Sequence, residues 1–522
     1  MIALPQREAR LLVALHGWSA VALGLLLYTV LATGTVAVMA DEIGHWSTGA
    51  LDARAPLTRP VDAILRRAVA DAPPALREVV DLAASGRDGL RVSLRDAPGP
   101  EQRGIDVETG PDGRVLHRRE GLAADIAGRD PDGALAAFLV GIHVRLYIPG
   151  LFGYVVTGVA GLALLLAALS GLAIHRHLLR DLFTLRVLAS PPLAARDRHN
   201  LAGTWALPFA LVLAVTGAFF SFAAPVGFPT LAWVSFGGDQ QALFTALLGP
   251  PPAADPSPAA IADLDAVAAD AGARAGAAPA FIRVAHPGRA DARVTVYAET
   301  RPGDIAAATL VYDGVTGAFL ERRPAVGRAP SLGGTLYGLM APLHFGHFAG
   351  LASKLAWTAM GFCCCSVTVG GLRLWLVRRA TARPGWAALD RATSVVALGL
   401  PLAMAGSGVG YFLGLADGAT VESTAVGFLV AGALALVAGV ALRRPALDGV
   451  LRVATGLALA ALPPLRLAAG GPDWATALAA GCPAIAFGDA ALLGLAIALL
   501  HRPGRALLRA GHDAALAGPP RP

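Results

Sequence analysis

Charge is scarce in this chain. Asp, Glu, Lys and Arg together make up 15% of 522 residues, and lysine occurs once, at Lys354. Set against 55% hydrophobic residues and a mean hydropathy of +0.57, that poverty excludes an ordinary soluble globular protein. Cysteine is equally sparse: there are four, three of them consecutive (Cys363, Cys364, Cys365) inside an apolar run, with no CxxC or CxxCH. A disulfide scaffold, a zinc ribbon and covalently attached c-type haem therefore find no support. The formal net charge of +6 comes without a basic stripe interleaved with aromatics, so a nucleic-acid partner is not indicated.

What the chain has in abundance is long apolar runs. Eight are long enough to cross a bilayer, near 11–38, 148–174, 201–224, 348–377, 392–415, 424–442, 450–468 and 483–500. Arginines cluster at Arg7 and Arg10, Arg176 to Arg198, Arg373 to Arg383, Arg443 and Arg444, and Arg502 to Arg509, on every second side. The positive-inside rule then places both termini in the cytoplasm and the long polar segments 41–142 and 225–343 outside. Arg466 is the exception. The first run, preceded by Arg7 and Arg10 and followed by Val38-Met39-Ala40, could instead be a cleaved signal, but its apolar stretch is longer than a signal core.

Compared with itself, the chain repeats. His16 is followed by Thr33-Gly34 seventeen residues on, and His199 by Thr216-Gly217 at the same interval. His143 precedes Gly171 by twenty-eight residues and His344 precedes Gly371 by twenty-seven. The unit is helix, outward domain, helix, occurring as 1–190 and 191–385, with a four-helix membrane extension over 386–522. In the first outward segment a helix is predicted over Val61–Leu82 and a strand region over Gly104–Leu116. In the second a helix is predicted over Pro258–Ala271, strands over Phe281–His286 and Arg293–Glu299, and a hairpin over Thr309–Leu320. Stretches 250–258 and 325–340 read as Pro/Gly/Ala-rich linkers. The predicted fold class is an all-α polytopic membrane protein of about eight spans with two small α+β domains.

The repeat singles out four of the twelve histidines. His16 and His199 lie at cytoplasmic helix ends, His143 and His344 at outward ends, and the seventeen residues from His16 to Thr33 rise roughly 25 Å. Two imidazoles near each face, on different helices, suit two bis-histidine b-type haems, paired as His16 with His199 and His143 with His344. A lone histidine at a helix end is more often an interfacial side chain, but four at repeated spacings favour ligation. A bare zinc or copper site would need His347 or His175 to join in. Lys354, about 15 Å along a continuous helix from His344, is a candidate for a haem propionate or a polar bundle interior, and Arg145 is a second propionate candidate. His175 stands where the second unit has Trp375. His45, His117, His286, His501 and His512 read as solvated, His175 and His177 as interfacial, and the cysteine triplet as core packing.

Leu15-His16-Gly-Trp18 with Thr33-Gly34, His143, His199 with Thr216-Gly217, Pro342-Leu343-His344-Phe-Gly346 and the hairpin Asp313-Gly-Val-Thr316-Gly317 resemble the PepSY-associated transmembrane helix family over about 1–380. The resemblance implies a bacterial inner-membrane protein with PepSY-like periplasmic domains, in a group that includes dihaem ferric-siderophore reductases of iron uptake. The chain departs from the pattern at His175, in a degenerate first PepSY-like segment and in its four extra helices.

The function expected is transmembrane electron transfer: electrons enter at His16 and His199 from a cytoplasmic or quinol donor, pass to His143 and His344, and reduce a ferric siderophore or chelate. The alternatives are a PepSY-type binding or regulatory module with structural histidines, and a chelate transporter using the last four helices. Against the transporter, those helices read as lacking intramembrane carboxylates.

Overall fold

In the computed structural model, residues 5–516 are described apart from short stretches, the longest at 50–56, 129–132, 176–182 and 187–190; side chains beyond 501 are not described. His177 and His512 therefore fall outside what can be placed.

The chain begins with α1 (Gln6–Ala37) and a short α2 (Ala40–Thr48), then builds α3 (Asp62–Asp71), β1 (Val79–Ala84), β2 (Leu90–Arg95), β3 (Arg103–Thr109), β4 (Val115–Leu122) and α4 (Ala123–Gly128). The helix predicted over Val61–Leu82 stops at Asp71, because Pro73 and Pro74 cannot continue it, and Val79–Leu82 is strand. The chain returns through α5 (Ala134–Arg145) and α6 (Phe152–Ile174).

The second unit follows the same order: α7 (Pro191–Phe222), α8 (Phe228–Phe236), α9 (Gln240–Leu248), α10 (Leu264–Ala275), β5 (Pro279–Ala285), β6 (Arg293–Ala298), β7 (Thr309–Asp313), β8 (Phe319–Arg323), α11 (Leu332–Phe345) and α12 (Gly350–Leu376). The stretch 325–340 is thus only partly linker, since α11 begins within it, N-capped by the Ser331 hydroxyl. The extension comprises α13 (Pro384–Gly414), α14 (Thr420–Ala441), α15 (Arg444–Ala468), α16 (Trp474–Ala479) and α17 (Pro483–Leu516). Among the described residues eight helices are long and apolar enough to cross a membrane, matching the eight apolar runs.

The two α+β units share one antiparallel sheet in the order β4-β3-β2-β1-β5-β6-β7-β8, joined where Val80 faces Val284 and Leu82 faces Ile282. One face, carrying Val80, Leu82, Val92, Leu94, Ile105, Ile282, Val294, Val296 and Tyr312, is buried with Leu65 of α3 and Leu264 and Ala271 of α10. The helices cap each other. Asp265 Oδ1 accepts from the Val61 amide at 2.6 Å, and Asp62 Oδ1 accepts from the Leu264 amide at 3.3 Å. Each helix supplies the carboxylate for the other's unsatisfied N-terminus, so the two halves fold as a pseudo-two-fold pair.

His286 is not simply solvated: its Nδ1 lies 3.1 Å from Asp291, which also accepts from Arg289 at 2.7 and 2.8 Å. The Arg289 hydrogen bonds, with the Asp255 region and His286, hold the Asp291 carboxyl down at about 2. A depressed carboxylate stabilises the fold above its ordinary range near 4 and loses that contribution as pH falls towards 2. Protection factors of the amides in β5 and β6 are expected to fall over that window, and Asp291→Asn is expected to lower them already at neutral pH and to flatten their acid dependence.

Below the sheet, α1, α6, α7 and α12 form a ring of four helices around Leu27, Leu31, Leu164, Ala168, Ala206, Ala210, Cys364 and Cys365. The cysteine triplet is core packing, as its setting in an apolar run suggested. The extension packs as α13 against α14 through small residues, where a Cβ on Gly410 would lie 2.1 Å from the Ser423 carbonyl.

Candidate functional site

The second and fourth apolar runs do not open with their histidines in a continuous helix. His143 lies on α5, which ends where Leu146 and Tyr147 take positive φ, and His344 lies on α11, which ends at Gly346 with φ +67. Only glycine fits there on two counts, since a Cβ on Gly346 would also lie 2.6 Å from the Trp357 ring. Both histidines therefore sit on short helices that turn over the sheet end of the bundle.

The pairing by depth is found. His16 and His199 have ring centroids 6.3 Å apart, and His143 and His344 6.1 Å apart. An imidazole nitrogen sits about 2 Å from a metal it ligates and about 1 Å from its own ring centre, so two imidazoles on opposite sides of one iron have centroids about 6 Å apart. Among the described residues no group of three or more His, Cys, Asp or Glu could hold a metal ion. The donor set is two nitrogens per site, which is what a porphyrin-bound iron needs and a bare zinc does not accept.

Each ring is held by its Nδ1. His143 donates to the Val30 carbonyl at 3.0 Å and His199 to the Val367 carbonyl at 3.1 Å. His16 lies 2.9 Å from Ser170 Oγ and His344 2.9 Å from Thr216 Oγ1. Both hydroxyls give their own protons to carbonyls one turn back, Leu166 and Val212, so each accepts from the imidazole. All four Nδ1 atoms thus carry the proton and all four Nε2 lone pairs remain for a metal.

The repeated glycines explain the repeated spacing. A Cβ on Gly34 would lie 2.6 Å from His143, on Gly217 3.3 Å from His344, on Gly371 2.7 Å from His199 and on Gly171 3.6 Å from His16. Each histidine rests on the matched glycine of a neighbouring helix; a side chain at Gly34 or Gly371 would displace the ring, one at Gly217 would crowd it, and at Gly171 the ring is in ordinary contact. Where Ser170 holds His16, the second unit has Gly370, and His199 turns to the Val367 carbonyl instead.

The accessory residues fall differently. Lys354, 8% exposed, is paired with Glu42 at 2.8 and 3.0 Å and Asp41 at 3.2 Å, both on α2. The break at Gly346 invalidates the continuous-helix depth from His344, and the ammonium is taken up by these carboxylates rather than facing a propionate. His347 lies in that break, its ring 6.1 Å from Phe345. Arg145 is the last residue of α5. His175 C-caps α6, and its Nδ1 is buried without a partner among the described residues.

The expectation that the last four helices lack intramembrane carboxylates is wrong. Asp489 of α17 is fully buried and accepts from Arg466 at 2.7 Å, Trp46 at 2.7 Å and Trp474 at 2.8 Å. Arg466, which broke the positive-inside pattern, is the partner of this carboxylate. Asp390 pairs with Arg444, and Asp448 lies 3.8 Å from Arg373. Since Trp46 belongs to α2, the Asp489 network ties the extension to the helix that pairs Lys354. With every Asp489 contact a donor already in place, it reads as a strut rather than a transport site.

One curated relative, uncharacterized protein PA4219 of Pseudomonas aeruginosa, is 33% identical over 259 residues, covering 47% of this chain and 64% of that protein. The chain thus spans less than two thirds of that relative's length. The family model described as the PepSY-associated TM region matches residues 13–378, which takes in both units, the shared sheet and all four paired histidines. By that match, the chain belongs to the PepSY-associated TM family.

Proposed function

We propose that this protein carries electrons across a bacterial inner membrane through two b-type haems and reduces a ferric siderophore or related chelate on the side of the sheet. The observation that carries the reading is the pair of imidazole pairs at opposite ends of one four-helix bundle, 6.3 and 6.1 Å between centroids, with every Nδ1 tied back. When bound, haem supplies one-electron redox chemistry at iron. The chain does the rest. Nε2 of His16 and His199 would hold one iron and Nε2 of His143 and His344 the other, while Ser170, Val30, Val367 and Thr216 fix the rings. The apolar walls keep water out of the path.

At the sheet end, an electron delivered to a ferric chelate converts Fe³⁺ to Fe²⁺. Hard oxygen ligands hold Fe²⁺ far less strongly, which frees the metal. The arginine clusters on every second side support a periplasmic sheet end and cytoplasmic termini.

The test is proteoliposomes with reductant enclosed on the side of the termini and a ferric hydroxamate on the sheet side, Fe²⁺ being trapped by a ferrous-specific chromophore. Chromophore is expected to form with wild-type protein and not with His143→Ala. Equal rates in the two would point to a binding module with structural histidines.

A further inference from the structure

We infer that the end of the bundle remote from the sheet, between His175 and Trp375, binds a membrane-soluble hydroquinone that supplies the electrons. The inference rests on the dihaem reading and names its donor. The two residues occupy equivalent positions in the repeat, each four residues, about one helical turn, beyond the glycine on which His16 or His199 rests. They therefore flank the same imidazole pair on its outer side, and the symmetry breaks there, with an imidazole on one flank and an indole on the other.

Trp375 makes an aromatic wall. A Cβ on Gly17, the residue after His16, would lie 3.0 Å from its ring, so the indole abuts the backbone of the first ligand. Trp18 and Trp386 stand edge-on to it at 5.4 and 4.9 Å, and the Arg379 guanidinium lies 4.2 Å over its face. Trp18 is 56% exposed, which opens the wall to the lipid around α1. On the other flank, His175 has a buried Nδ1 with no partner among the described residues, whereas all four paired histidines satisfy theirs. Leaving a buried polar atom unmet is costly, and such an atom beside a functional pair marks a place for a ligand's hydrogen bond.

A planar ring to lie against indoles, a hydroxyl to meet an imidazole nitrogen and solubility in lipid together describe a hydroquinone. The hydroxyl donates to His175 Nδ1. As the hydroquinone is oxidised to quinone it yields two electrons and two protons, the protons leaving through His175 to water. The two electrons pass singly through the protein to two equivalents of ferric chelate, each Fe³⁺ becoming Fe²⁺.

The experiment uses the full-length purified protein with decylubiquinone and decylubiquinol as probes, on wild type, His175→Leu and Trp375→Leu. Equilibrium dialysis is expected to show quinone binding by wild type and binding weakened about ten-fold or more in each variant, the scale of one lost buried hydrogen bond or stacked wall. Stopped-flow reduction of the b-type bands by decylubiquinol is expected to slow by a similar factor in His175→Leu, with dithionite reduction and the oxidised spectrum unchanged. Wild type that binds no quinone, His175→Leu that binds and is reduced like wild type, or His175→Leu that loses a b-type signal would each overturn the proposal. Protein that contains no haem yet binds quinone in a His175-dependent way would sink the dihaem reading and leave the quinone site standing.

Discussion

Replacing both His143 and His344 with alanine is expected to lower the haem content of the purified protein from about two to about one per chain, the His16–His199 pair keeping its own. The two pairs share no ring-holding partner: Val30 and Thr216 serve one, Ser170 and Val367 the other. They rest on different glycines at opposite ends of the helices, so loss of one pair leaves the other's support in place. The remaining b-type bands should lose the component contributed by the sheet-side pair. Electron delivery to a ferric chelate should stop, because the terminus-side pair is separated from the sheet by most of the bundle. A haem content unchanged at about two would show that these imidazoles are not ligands.

Asp489→Ala is expected to destabilise the protein by about 3–5 kcal/mol, the usual cost of leaving a buried charge without its partner. Arg466 is as fully buried as Asp489, so the orphaned guanidinium has no solvent to turn to. Two indole N–H groups, of Trp46 and Trp474, lose their acceptor at the same time. The effect should reach beyond the extension, because Trp46 holds α2 and α2 supplies Asp41 and Glu42 to Lys354. Thermal unfolding in detergent would show a large drop for the single variant and a partial recovery when Arg466→Met is added. Additive losses in the double variant would contradict the pairing.

Much of this was legible in the residues. The matched intervals from histidine to glycine singled out four imidazoles and their depth paired them, and the reason for the intervals is now physical: the glycines are the seats on which the rings lie. The eight spans followed from apolar length alone, and the Thr309–Leu320 hairpin followed from its alternation and turn. What could not be read was anything set by partners distant in sequence. The pairing of β1 with β5 lies some two hundred residues apart, and neither strand's pattern announces it. Lys354 invited a cofactor partner because its real ones, Asp41 and Glu42, follow the first span by only a few residues and look like ordinary boundary charges. The breaks after His143 and His344 were passed over because each histidine opens onto a long apolar run within a few residues, although Pro149-Gly150 and Gly346 stand beside them; positive φ at Leu146, Tyr147 and Gly346 turns the chain. Asp489 was overlooked inside an apolar run because its compensating charge, Arg466, lies on another helix.

The central claim is that the two imidazole pairs each hold a haem, and the most direct measurement is a reduced-minus-oxidised spectrum with haem quantified per chain, on protein expressed with haem supplied. The account predicts b-type bands and about two non-covalently held haems per chain. Protein purified intact with no b-type bands would contradict it.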